Sequence, residues 1–216
     1  MKAHFDRSPW WLGLYLLPFL LGCAAPVLTV NAAALQPPAG FMASPQLREE
    51  KSRPCKPTSP PHTESLELPS KYEGSDKARD DLNEKSYTEY KSKSARINTL
   101  EKEFSATVEA YLRDGSEATL NCALGHLTAW ADAGAMQSRV TDHTGRSVRK
   151  WALASVAASY LRLKFAGSEP LAAHADETQR IEPWLTQLSD IVIEDWSGQP
   201  LEKFNNHEYW AAWAVM

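Results

Sequence analysis

The sequence predicts an all-α protein, and three observations carry that expectation. Apolar residues recur at intervals of three and four in five successive stretches, the spacing that lines one face of a helix. No stretch alternates apolar and polar residues as a half-buried strand would, and Ile191, Val192 and Ile193 fall inside a helical pattern. Helix starts near residues 116, 146, 177 and 206 lie about 30 residues apart. That spacing fits stacked antiparallel helices. The motifs of the named superhelical repeats are absent, so the expected architecture is an incomplete α/α toroid, cut short on its C-terminal side.

The first helix is expected over residues 77–112, capped at Ser75 or Asp76, with a break near Ser86. Ile97, Leu100, Phe104, Val108 and Tyr111 form its inward face, and Asp114-Gly115 ends it. A second runs from Ser116 to about Ala133, with Leu120, Ala123, Leu124, Leu127 and Trp130 inward and Gly134 closing it. Residues 140–145 read as a loop into a third helix over about 146–165, whose apolar face holds Val148, Trp151, Ser155, Val156, Tyr160 and Leu163. A fourth begins around Asp176 and restarts at Pro183, because proline is tolerated only in a first turn. The fifth opens at Asn205, where two asparagines can accept the unpaired first-turn amides. Aromatic residues Tyr209, Trp210 and Trp213 follow, and the pattern is still running at Met216.

Ahead of these helices, Lys2 and Arg7 precede an apolar run over residues 10–21, the pattern of a secretion signal. Cleavage is expected after Ala32, with Val30 and Ala32 as the small residues read by the peptidase, giving a periplasmic protein. The rival reading is a lipoprotein acylated at Cys23, after Leu20-Leu21-Gly22. The run is too short and too soon diluted by proline to be a firm membrane span. Residues 33–69 are rich in Pro, Ser and Thr and read as an extended arm, leaving 70–216 as the helical domain. Removing the signal leaves Cys55 and Cys122, and an even pair in an exported chain reads as a disulfide. No metal is expected, since no cysteine or histidine pattern at ligand spacing flanks either residue.

Of the 216 residues 43% are hydrophobic, and the formal net charge is −4. A nucleic-acid partner would need a basic surplus, so none is expected. An acidic ligand stays open, because cations can be gathered locally. Read from the residues alone, His207 behind two asparagines is a cap-region histidine, Lys71 a solvated cation and Trp151 a core residue. Arg149 and Lys150 could attract a polyanion or simply form a solvated helix face. His126 and His174 read as structural.

Several segments together resemble the bacterial alginate lyases of polysaccharide lyase family five. They are Ser70-Lys71-Tyr72-Glu73-Gly74-Ser75-Asp76, His143-Thr144-Gly145 with Arg149-Lys150-Trp151-Ala152-Leu153, and Leu163-Lys164-Phe165. Pro170-Leu171-Ala172-Ala173-His174-Ala175, Asp195-Trp196-Ser197-Gly198 and the stretch from Asn205 through Trp213 follow in order. The resemblance implies a toroid with a deep cleft and cleavage of poly-mannuronate by β-elimination, without cofactor or metal. It implies catalytic roles for Asn206 and His207, with Asn206 on the uronate carboxylate and His207 neutralising the same group or acting as base. Ser70, Lys71 and Tyr72 match a lid loop, and His143 and Thr144 a loop facing the cleft. Arg149 and Trp151 join these as expected substrate contacts. The family also uses an arginine and a tyrosine further downstream, at positions this chain does not contain, so the chain is expected to be an N-terminal portion with little turnover. Two rival expectations stand beside the lyase: a non-catalytic polyuronate-binding or alginate-export-complex protein, and a toroid glycoside hydrolase, which needs two opposed carboxylates.

Overall fold

The computed structural model describes residues 54–74, 78, 80–198 and 200–216. The expected signal segment, its cleavage site, Cys23 and the first part of the arm lie outside these residues, as do Ser75 and Asp76. Five α-helices make up the fold: α1 Glu84–Asp114, α2 Glu117–Asp132, α3 His143–Lys164, α4 Ala175–Trp196 and α5 Asn206–Val215. Two short 3-10 turns, Pro170–Ala173 and Leu201–Lys203, connect α3 to α4 and α4 to α5. No strand occurs among the described residues, so the protein is all-α. None of their helices is long and apolar enough to cross a membrane.

The contacts sort the helices into two rows. In one, α1, α3 and α5 are successive neighbours; in the other, α2 lies beside α4. Cross-contacts tie α1 to α2, α3 to α4 and α4 to α5. The interior is built from the periodic faces: Ile97, Leu100, Phe104 and Val108 of α1 meet Leu120, Leu124, Leu127 and Trp130 of α2, all fully buried. Val156, Tyr160 and Leu163 of α3 and Ile181, Leu188 and Val192 of α4 extend the same core. Trp151 and Ser155, assigned to the apolar face of α3, are only partly covered.

Several boundaries differ from the sequence expectation. Helix α1 starts at Glu84, seven residues late, and runs past Ser86 unbroken. Asn83 is the cap: its side chain accepts from the amide of Ser86, and its own amide donates to the carbonyl of Lys71. Helix α3 starts earlier than expected, so His143 and Thr144 form its first turn rather than a loop. Asp142 makes the difference by accepting from the amide of Gly145 at 2.7 Å. Helix α4 does not restart at Pro183 but carries it in the interior. Pro183 is exposed, so the carbonyl it leaves without an intrahelical partner lies on the solvent side, within reach of water.

The arm is ordered by burial from residue 59 on. Ser59, His62, Leu66 and Leu68 are buried, and the indole of Trp130 donates to the carbonyl of Ser59 at 2.8 Å. His62 accepts the amide of Met136 through its carbonyl, at 2.8 Å. Cys55 and Cys122 are disulfide-bonded across 67 residues and pin the arm to α2. Further along, the carboxylate of Glu67 takes the amide and hydroxyl of Thr141, and Asp142 accepts the amide of Leu68. Gly145 is obligatory in that seam, because a Cβ there would stand 2.0 Å from the carbonyl oxygen of Leu66.

Candidate functional site

The site forms where three helices present their ends or faces to one another. On α3, His143, Ser147 and Lys150 follow at intervals of four and three and share one face. Helix α4 ends at Trp196 and α5 starts at Asn206, both against that face. The start of α5 is fixed by a capping box. The side chain of Asn205 accepts the amide of His207 at 2.8 Å, and the carboxylate of Glu208 accepts the amide of Asn205 at 2.8 Å. Asn206 then occupies the first helical position, exposed, with His207 half-buried behind it.

Four rings surround this point. His207 lies parallel to Trp196 with centroids 5.5 Å apart and 4° between planes. His143 meets His207 edge-on at 4.6 Å and Trp196 edge-on at 5.3 Å. Trp151 stands 6.0 Å from His207. Beneath them, the fully buried Lys150 brings its Nζ to 2.8 Å from Nδ1 of His207 and 3.2 Å from the carbonyl oxygen of the same residue. The same amine sits 3.2 Å over the ring centroid of Trp196, and the hydroxyl of Ser147 is 3.4 Å from Nδ1. Burial pulls the Lys150 amine down to about 7, against the opposing pull of Glu208. His207 is also held below its ordinary value, first by burial and then by the charges of Lys150 and His143, with Glu208 acting the other way.

Beside the ring cluster, α1, α3 and α5 frame a groove of about 560 Å³ lined by Glu101, Trp151, Ser155, Trp210 and Trp213. Burial raises the Glu101 carboxyl to about 7, opposed by its hydrogen bond with Ser155. Below that value the groove offers indole faces and a neutral acid, a surface that does not repel an anionic chain.

The residues expected from the sequence separate into groups. Asn206, His207, His143 and Trp151 come together at the start of α5. Thr144 stands beside His143, half-exposed, in the first turn of α3. Ser70, Lys71 and Tyr72 form a turn held against the start of α1: the carbonyls of Lys71 and Glu73 accept from Asn83, and Lys71 lies over the Tyr72 ring at 5.0 Å. Arg149 stands apart from this group. Its side chain is 1% exposed, and its donors are spent on the carbonyls of Met136 (2.9 Å) and Ser138 and on the carboxylate of Asp195 at 2.9 Å. It clamps the loop before α3 to the end of α4, and so helps place Trp196. Near the disulfide, the fold also brings Nε2 of His126 to 3.6 Å from Cys122 Sγ, a neighbour one turn away that the sequence reading passed over.

Lys150, Trp196 and Glu101 are the members that sequence reasoning missed as site residues. For Lys150 a signal existed: it lies seven residues after His143 and four before Ala154 on the face that also carries Ser147. Trp196 entered only within the segment Asp195-Trp196-Ser197-Gly198 that carries the resemblance, with no role attached, and Glu101 was one of many carboxylates on a polar helix.

Fold and site define the class first: an all-α protein that presents an Asn-His pair at an open helix start beside an indole-lined groove. A family model described as alginate lyase matches residues 67–216. An alginate lyase of Pseudomonas fluorescens (strain SBW25) is 49% identical over 204 residues, covering 93% of this chain and 55% of that protein. Alginate lyases of Pseudomonas aeruginosa (strain PAO1) and Cobetia marina are each 47% identical over 93% of this chain, which covers 55% and 54% of their lengths. The chain belongs to the alginate lyase family, and it spans about 55% of the length of these curated relatives.

Proposed function

We propose that the protein acts on poly-mannuronate in the periplasm as a β-eliminating alginate lyase of α/α-toroid architecture. The observation that carries this reading is the pair of exposed Asn206 and half-buried His207 at the capped start of α5, beside the groove of Trp151, Trp210 and Trp213. In the elimination, a base removes the proton at C5 of a uronate, the electron pair forms the C4–C5 double bond, and the C4–O bond breaks. The departing oxygen takes a proton from an acid. The difficult point is the carbanion or enolate next to the carboxylate, and donors aimed at that carboxylate make it accessible. The amide of Asn206 and an N–H of His207 are suited to this part, with the positive end of α5 behind them.

Incubation with poly-mannuronate tests the reading. Ultraviolet absorbance from an unsaturated product supports it, and loss of that signal in Asn206→Ala or His207→Ala assigns the pair. New reducing ends without absorbance would replace it by hydrolysis. Binding without turnover would favour a polyuronate-binding protein of an export complex, for which the indole-lined groove is sufficient. A parallel assay on poly-guluronate decides the preference.

A further inference from the structure

We infer that Lys150 is a positioning residue that fixes His207 as the neutral Nε2–H tautomer, so that this histidine offers a donor, and not a basic lone pair, at its outer nitrogen. A lysine ammonium has three N–H donors and no acceptor. Here three acceptors surround it: Nδ1 of His207 at 2.8 Å, the carbonyl oxygen of His207 at 3.2 Å, and the face of Trp196 at 3.2 Å. Below about 7, where the amine keeps its third proton and every donor is matched, Nδ1 receives a proton contact and cannot carry its own, which leaves the imidazole proton on Nε2. The Trp196 plane, parallel to the imidazole within 4°, and the edge contact of His143 hold the ring in that orientation. Lys150 itself is fully buried and out of reach of a polymer, so it acts only through His207.

The groups that face His207 are few. Lys150, His143 and Ser147 come from α3, Glu208 from α5, and from α4 only the uncharged Trp196 ring. Two of the three titratable neighbours oppose a second proton on His207, and burial works in the same direction. The role of this tautomer in elimination rests on the proposed function: an Nε2–H beside Asn206 adds a second neutral donor for the uronate carboxylate. It excludes His207 as the proton-abstracting base through that nitrogen. The tautomer itself needs no substrate and can be read independently.

Nitrogen-15 NMR of the histidine-labelled 216-residue chain, without polysaccharide, gives the test. In the parent, His207 should show a pyrrole-like Nε2 and a pyridine-like Nδ1 at pH values just below 7, where Lys150 is charged, with a titration midpoint below that of an exposed histidine. In Lys150→Met the Nδ1 proton should become detectable through tautomer exchange, and the midpoint should move up. A protonated Nδ1 in the parent overturns the inference. So does a folded Lys150→Met chain, checked by circular dichroism, whose His207 nitrogens and midpoint match the parent. Should the variant fail to fold, the parent labelled at both lysine and histidine decides alone: a coupling across the hydrogen bond between Lys150 Nζ and His207 Nδ1 supports the assignment, and its absence rejects it. Loss of lyase turnover with an intact Nε2–H tautomer would count against the proposed function and leave the Lys150 assignment standing.

Discussion

Helices α3 and α5 begin with the same device, an Asx side chain over the first-turn amides, and put it to opposite uses. At α3 the cap is Asp142, and the arm closes over it: Leu68 donates to the same carboxylate, Glu67 holds Thr141, and the carbonyl of Leu66 leaves no room beside Gly145. At α5 the cap is the neutral Asn205, Glu208 completes it from within the helix, and Asn206 faces solvent. One start is sealed by chain from far away in the sequence; the other is finished locally and left open. A helix start thus becomes a site here by being satisfied from its own first turn, which leaves its outer surface free.

Opening the sealed start should have the largest effect. Replacing both Cys55 and Cys122 by serine frees the arm, and the loop-closure model for 67 residues puts the loss at about 4 kcal/mol. Denaturant unfolding of parent and variant reads it, and a loss under 1 kcal/mol would show that the arm holds without the bond. Gly145→Ala comes next, at roughly 2–3 kcal/mol, because the new methyl must displace Leu66. Its control is Gly125→Ala in α2, where nothing lies within 4 Å of the added carbon and a gain of up to about 1 kcal/mol is expected.

At the open start the effects depend on pH. Lys150, pulled down by burial, binds fewer protons folded than unfolded between about 7 and its ordinary 10.5. Stability should therefore rise with pH across that window, by at most about 1.4 kcal/mol per unit, and the cost is fully present below it. Lys150→Met should flatten this part of the parent's profile in urea titrations at stepped pH. The smallest effect is that of Asn205→Ala, about 1 kcal/mol, seen as faster amide exchange confined to α5. Exchange that spread into α3 would mean that the two starts are coupled rather than separate.

The contrast also marks what a sequence can disclose. Asn205 and its helix were legible because the cap and its partner Glu208 lie three residues apart. The cap of α3 is equally local, Asp142 to Gly145 three residues on, and could have been read; what no local window contains is the arm, where Glu67 and Leu68, more than 70 residues upstream, hold the same Asp142. Neighbours Arg149 and Lys150 were read together as surface cations, yet consecutive helical positions point about 100° apart. One side chain turned to the loop before α3 and to Asp195, the other under His207. The inward faces of α1 and α2 were read correctly, since they are set by period alone. Glu101 escaped notice because its altered proton affinity comes from burial, which composition does not encode.

The arm has a further consequence for the order in which the molecule assembles. Its contacts run from Ser59 to Trp130, from His62 to Met136 and from Leu68 to Asp142, so the first described segment can dock only after two later helices exist. Synthesis and docking therefore run in opposite directions. Contacts across such separations carry a high entropic cost before they return anything, and they slow the last stage of folding. Until that stage the amides of Thr141 and Asp142 and the faces of Leu66 and Leu68 stand bare, so the unlatched chain is the form that a chaperone or a protease would meet.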